Sequence, residues 1–287
     1  VNPASRGFFA RCGFVVVAGL AALALAACGA TTNTPAPSAS KGAGVASSGA
    51  ALAPGTVTVF AAASLTDVFD ALAAEFEKDH PGVTVVLNYG GSAGLATQLV
   101  QGAPADVFAA ASPATMQTVA DAGLLGAAKP HVFASNTLEI AVPAGNPAGV
   151  TSLKDFARAE LRIALCAVEV PCGAVSAKAF AVAGIIPAAD TLEQDVRAVL
   201  TKVALGEVDA GLVYRTDVQA ASVRAATTSA APAILGINFA EASSAVTTYP
   251  IVALAAAPNA PAAAAFTAFV LSARGATILA KAGFGPR

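Results

Sequence analysis

Thr56-Val57-Thr58-Val59-Phe60-Ala61-Ala62-Ala63-Ser64-Leu65 is the stretch that decides how the chain folds. Alternating β-branched residues from Thr56 to Phe60 predict a strand. Three small alanines follow, and Ser64 stands where a helix from Leu65 to Lys78 would begin. The first turn of a helix leaves N–H groups unpaired and carries roughly half a positive charge, so a small anion can be held there without a lysine. Serine is also a favoured N-cap, and on this stretch alone capping is the simpler role for Ser64. The recurrence of similar stretches downstream shifts the balance.

Moving outward, strands and helices alternate. A strand at Val83–Leu87 leads to a helix at Leu95–Gln101, and Asp106–Ala110 to a helix opened by Ser112-Pro113. Such alternation predicts a parallel sheet with helices on both faces. A strand at Leu138–Pro143 ends in the turn cluster Pro143-Ala144-Gly145-Asn146-Pro147, where a crossing into a second domain is expected. That domain would hold strand Arg162–Cys166, a helix opened by Pro171-Cys172-Gly173, a helix capped by Asp195, strand Ala210–Tyr214 and a strand near Ile234–Ile237. Tyr249–Leu254 would return to the first domain, and a last helix at Pro261–Leu271 would finish it. The expected boundaries are 55–137 with 249–287 for domain 1, and 138–248 for domain 2.

The N-terminal region reads differently. Arg6 and Arg11 precede the apolar run Phe14–Leu25, the pattern of a secretory signal over 1–27 and too short for a comfortable membrane span. Leu25-Ala26-Ala27-Cys28 resembles a bacterial lipobox, which implies cleavage before Cys28, a lipid on its thiol, and a protein exported and anchored to the outer face of the cell membrane. Residues 28–54 are rich in Pro, Ser, Ala and Gly and should form a flexible tether. Without the two leader arginines the chain keeps 14 basic residues against 18 acidic ones, a net −4 that argues against nucleic acid as partner. Cys166 and Cys172 could pair across a short loop in a compartment where disulfides persist, or stay as two thiols. His80 and His131 are the only histidines, and neither sits in a cluster at ligand spacing, so no cation site is expected.

Gly90-Gly91-Ser92-Ala93-Gly94 matches the G-x-S-x-G nucleophile elbow between a strand and a helix. A serine hydrolase using Ser92 needs a histidine base, and the only one downstream is His131, with none in the long remainder where that fold supplies it. The other reading is a second strand-to-helix turn with a serine among free amides, repeating the geometry at Ser64.

Phe60-Ala61-Ala62-Ala63-Ser64-Leu65-Thr66, Gly90–Leu99, Gly102–Phe108, Val170-Pro171-Cys172-Gly173, Asp195-Val196-Arg197 and Gly211-Leu212-Val213-Tyr214 together resemble, in order, the motifs of the periplasmic molybdate-binding proteins of ABC importers. The resemblance runs from about Thr56 to Phe284. It implies two Rossmann-like α/β domains with mixed sheets joined by crossover strands and a ligand cleft between them, the type II periplasmic binding protein arrangement. It also implies that Ser64 and Ser92 donate hydroxyl and backbone N–H groups, that the amides of Cys172 and Val196 donate from the second domain, and that the Tyr214 hydroxyl completes the shell. Cys172 departs from the alanine frequent there, without removing a backbone donor. The implied protein is a monomeric receptor, not an enzyme and without cofactor, that delivers molybdate or tungstate to a membrane permease and its ATPase. A receptor for another tetrahedral oxyanion such as sulfate is the alternative. With no histidine or shifted carboxylate assigned to the site, affinity is expected to be flat between about pH 6 and 8.

Overall fold

The computed structural model describes residues 52–228 and 233–287, all within one compact unit from Gly49 to Arg287. The expected signal, Cys28 and all but the last three residues of the tether lie outside the described residues. The first lobe starts with β1 (Gly55–Ala62), a 3₁₀ turn (Ala63–Leu65) and α1 (Thr66–Asp79), then β2 (Val83–Gly90) and α2 (Ser92–Val100). β3 (Val107–Ala109), α3 (Pro113–Asp121) and β4 (His131–Asn136) follow. The second lobe holds β5 (Leu138–Pro143), β6 (Ile163–Cys166), α4 (Pro171–Ala183), β7 (Thr191–Glu193), α5 (Val196–Ala204), β8 (Ala210–Tyr214), α6 (Arg215–Thr227) and β9 (Ile234–Ile237). The chain then returns to the first lobe through β10 (Thr247–Ala253), α7 (Ala260–Leu271) and α8 (Ala273–Lys281).

Both sheets are mixed. The first runs β2-β1-β3-β10-β4 and the second β7-β6-β8-β5-β9. β1 is parallel to β2 and β3, and β6 to β7 and β8, whereas the crossover strands β10 and β5 run antiparallel to their neighbours. The crossing to the second lobe falls at Thr137, between β4 and β5. The Pro143–Pro147 turn, where the sequence suggests it, instead lies inside the second lobe. Pro and Gly mark a turn but do not say which sheet the strand before it joins.

Alternation along β1 divides the first core in two. Val57, Val59 and Ala61 pack with Phe69, Leu72 and Phe76 of α1 and Phe266 of α7. Phe60 faces the other way, with Phe108, Leu95, Leu99 and Met116 beneath α2 and α3. A third cluster fills the second lobe around Ile140, Ile163, Val199, Leu212 and Tyr214. In each lobe the parallel strands all point the same way. Their C-terminal ends, and the helix starts that follow, collect on one side, the place where open α/β sheets bind ligands.

Two expectations need correction. The terminal helix does not end the lobe: Ser272 accepts from Gly275 N, capping α8 as a further helix. The expected helix over Leu65–Lys78 begins one residue later, because the 3₁₀ turn intervenes and places Ser64 within that turn.

Candidate anion site between the lobes

Three strand ends from each lobe meet around a small cavity. It is lined by Ala62, Ala63, Ser64, Gly91, Ser92 and Ala111 from the first lobe, and by Pro171, Cys172, Asp195, Val196 and Tyr214 among others from the second. All five residues singled out as ligand donors, Ser64, Ser92, Cys172, Val196 and Tyr214, are therefore brought to one place. About 20 Å³ is open to the centre of a water-sized sphere, against roughly 10–15 Å³ for one ordered water on that measure. This is the scale of one compact ion. No lysine, arginine or histidine is among the lining residues, and among the described residues no three His, Cys, Asp or Glu side chains gather as a cation site.

Helix starts supply the positive potential. α2 and α4 begin without a side-chain cap, at Gly91 and Val170. Asp195 caps α5 through Ala198 N at 3.0 Å, so the amides of Val196 and Arg197 keep no intrahelical partner. The same bond turns an Asp195 oxygen back on its own helix. Pro171 in the first turn of α4 lacks an N–H that would be an orphan anyway. Gly173 is required there, since a Cβ would stand 1.9 Å from the Ala167 carbonyl oxygen. Cys172, next to it, is bonded to Cys166, which closes the loop below the helix start.

The two serines are oriented from behind. Ala111 N donates to Ser92 Oγ at 3.0 Å, occupying a lone pair and leaving the hydroxyl proton for the cavity. Ser64 caps nothing: its Oγ lies 3.0 Å from Tyr249 Oη. Asn136 accepts from Thr137 N through Oδ1, which fixes the amide so that Nδ2 donates to Thr216 Oγ1 and Tyr249 Oη. Tyr249 therefore stands within hydrogen-bond distance of both Asn136 and Ser64, and the Ser64 hydroxyl is held at the cavity wall by this contact. Tyr214 Oη is buried without any hydrogen-bond partner. Burial, with Tyr249 and Asp217 nearby, pushes its pKa well above the ordinary value, so it stays a donor. Donors thus dominate the surface of the cavity.

Asp217, Asn136 and Tyr249 are not singled out by the sequence motifs. Asp217 is fully buried and its Oδ2 accepts from Tyr214 N at 3.1 Å. Burial raises its pKa, while Arg197 and the Tyr214 amide pull it down, and the balance is about 7. This carboxyl lies behind Tyr214 and outside the cavity lining, a shifted group that the expectation of a flat pH profile did not count. Its only sequence signal is its place three residues after Tyr214, the spacing of a capping box.

The lobes meet across the cavity. A Cβ on Gly91 would lie 2.2 Å from the Gln194 carbonyl oxygen, so glycine is the only residue that lets these two backbones approach so closely. The hydrolase reading of Gly90–Gly94 fails on topology. β4 is parallel to β2 through its two antiparallel pairings, so His131 at the start of β4 and Ser92 beyond the end of β2 lie at opposite edges and opposite ends of the sheet.

Two α/β lobes shut over a cavity of donors make a receptor for a small solute, and the chain belongs to the bacterial extracellular solute-binding proteins, whose family matches residues 57–285. It is similar to the molybdate-binding protein ModA of Mycobacterium tuberculosis, with 39% identity over 229 residues, 80% of this chain and 84% of that one. In fold it resembles the periplasmic molybdate-binding protein of Azotobacter vinelandii, with a TM-score of 0.69 at 19% identity, covering 80% of this chain and 99% of that one. It resembles the sulfate-binding protein SubI of M. tuberculosis equally, with a TM-score of 0.69 at 18% identity over 80% and 86% of the two chains.

Proposed function

We propose that the protein captures molybdate or tungstate outside the cytoplasm and passes it to a membrane permease powered by an ATPase, without catalysing a reaction. Ser64, Ser92 and Tyr214 would bind through hydroxyls, and Cys172 and Val196 through backbone amides. The observation behind this reading is the set of hydroxyls at one cavity without a basic side chain: Ser64, Ser92, whose oxygen accepts from Ala111 N, and Tyr214, whose buried hydroxyl has no hydrogen-bond partner. A fully deprotonated dianion suits such a surface. Phosphate, which keeps a proton near neutral pH, would find no good acceptor for it. Each charge-assisted bond contributes about 1.5–3 kcal/mol, so about seven could offset desolvation and leave the roughly 12 kcal/mol of nanomolar binding.

Sulfate is the second reading, because the fold is as close to a sulfate-binding protein as to a molybdate-binding one. The two ions share charge and shape, so only the spacing of the donors can separate them. Isothermal titration with molybdate, tungstate, sulfate and phosphate decides the matter. Molybdate and tungstate should bind tightly and the others weakly; sulfate binding as tightly as molybdate would overturn the assignment. The lipid anchor on Cys28 belongs to the same proposal. Cys28→Ala should abolish lipid labelling and release the protein from membranes, whereas continued labelling would rule the anchor out.

A further inference from the structure

Beneath the donors runs a chain of charges that no ligand contact requires. Asp67, in the first turn of α1, accepts from Arg197 of α5 and from Arg224 of α6. On its other edge Arg197 faces Asp217, Nε to Oδ1 at 3.2 Å. Asp67 lies in the first lobe and the other three in the second. Of the ion pairs among the described residues, only Arg197–Asp67 and Arg224–Asp67 join the lobes; the rest stay within one. Each member near the cavity sits beside a donor. Asp67 follows Ser64 by three residues, Arg197 follows Val196 directly, and Asp217 follows Tyr214 by three.

The two arginines hold Asp67 in its charged form. Burial disfavours the Asp67 carboxylate, but Arg197 and Arg224 outweigh it and keep its pKa below the ordinary carboxylate value. Arg197 is mostly covered, with 21% of its side chain exposed, and lies beside the fully buried Asp217 of its own lobe, a close charge contact without hydrogen-bond geometry. A guanidinium that is mostly covered within its own lobe has little side-chain freedom left to lose when it meets a carboxylate of the other. Ion pairing needs contact, and a hinge opening of a few ångström at Thr137 would separate α1 from α5 and α6 and end it. Asp67 and Arg224 also line a solvent-open groove between α1, α6 and α8, so nothing but the opposite lobe covers them.

We propose that Arg197 is a positioning residue for anion capture: packed beside Asp217 and paired with Asp67 across the lobes, it holds them shut and sets how long the ligand stays, without touching it. The inference rests on the anion-receptor reading above. Opening would break the two interlobe pairs before the ion could leave, so their effect belongs to dissociation rather than to encounter.

The test uses the full mature chain and Asp67→Asn, which removes both interlobe pairs and leaves Arg197–Asp217 intact. Stopped-flow displacement of molybdate should show dissociation about tenfold faster with association within about twofold. Arg224→Gln should give a smaller increase, adding little to Asp67→Asn in the double variant. Asp67→Glu should recover most of the wild-type rate, which a merely structural role for Asp67 would not predict. In solution scattering without ligand, Asp67→Asn should be more open than wild type. Wild-type dissociation in Asp67→Asn overturns the inference while leaving the receptor reading intact. If wild type binds none of molybdate, tungstate or sulfate, the receptor reading falls, and scattering then decides alone: equal radii of gyration for wild type and Asp67→Asn overturn the latch, and a larger radius in the variant supports it.

Discussion

The two lobes reach the same cavity with the same strand-then-helix units, yet they offer it different chemistry. The first lobe presents side-chain hydroxyls, Ser64 and Ser92, each held by a hydrogen bond within its own lobe. The second presents helix-start amides at Cys172 and Val196, and one phenol at Tyr214. An amide donor survives almost any side-chain change, whereas a hydroxyl donor is lost with one atom. The lobes should therefore differ sharply in their tolerance of substitution. They also differ in charge: the second lobe keeps a buried carboxyl and a guanidinium behind its donors, and the first contributes only Asp67 to meet them.

The harshest way to break this arrangement is to keep the lobes apart. Gly91→Val places its Cβ on the Gln194 carbonyl oxygen, and overpacking against backbone sits at the upper end of such penalties, about 3 kcal/mol or more. Titration calorimetry should show affinity lower by about 150-fold or more, with each lobe's folding little affected; wild-type affinity would show that the bound lobes do not meet at Gly91. Next come the donors themselves. Ser64→Ala and Ser92→Ala should each weaken binding by about 1.5–3 kcal/mol, and Tyr214→Phe should match them from the other side. If both serine variants bind normally, the contrast between the lobes is wrong. Ser92→Ala should in addition lower the melting temperature, since Ala111 N–H loses its acceptor in a buried place.

The second lobe should prove tolerant where the first is not. Replacing Cys166 and Cys172 together by alanine should change affinity only a few-fold, because the donor assigned at 172 is an amide. Losing a bridge that spans a sequence separation of 6 should cost about 2 kcal/mol of stability. A large loss of affinity without loss of stability would mean that the loop, and not the amide, is what the ligand requires. The effect at Asp217 is one of pH dependence, away from the ligand. Its pKa is about 7 against an ordinary 3.8, so the folded protein holds the proton more tightly than the unfolded chain does. Stability from this group is full below about pH 4 and is lost as pH rises through about 7. Arg197, the Tyr214 amide, Asp67 and Arg224 are the groups that oppose or add to this shift. The melting temperature of Asp217→Asn should therefore rise relative to wild type between about pH 5 and 8. A difference that is constant across that range would place the Asp217 pKa elsewhere.

Local pattern was legible wherever one residue's neighbours in sequence are also its neighbours in space. The alternation of Val57, Val59 and Phe60 reports a strand because side chains in a strand alternate between faces, and Asp195 announces a helix because a cap bonds three residues ahead. Six motifs in order were enough to single out five residues that line one cavity. The side of the crossing relative to Pro143–Pro147 and the partner of Ser64 were not legible, because in both places the deciding contact is remote. Ser64 is taken by Tyr249, 185 residues away.

What the sequence by itself determined is the order of the strand-to-helix turns and which of them end in a hydroxyl or an amide, because those follow from backbone preference over a few residues. The tertiary structure alone decided which way each hydroxyl points, where the lobes touch and which carboxyl titrates near neutrality. Ala111 reaches Ser92 across 19 residues and Arg197 reaches Asp67 across 130. A hydroxyl's partner and a buried group's pKa depend on whatever the whole fold packs against them, and on Asp217 that is burial, opposed by a guanidinium and a backbone amide.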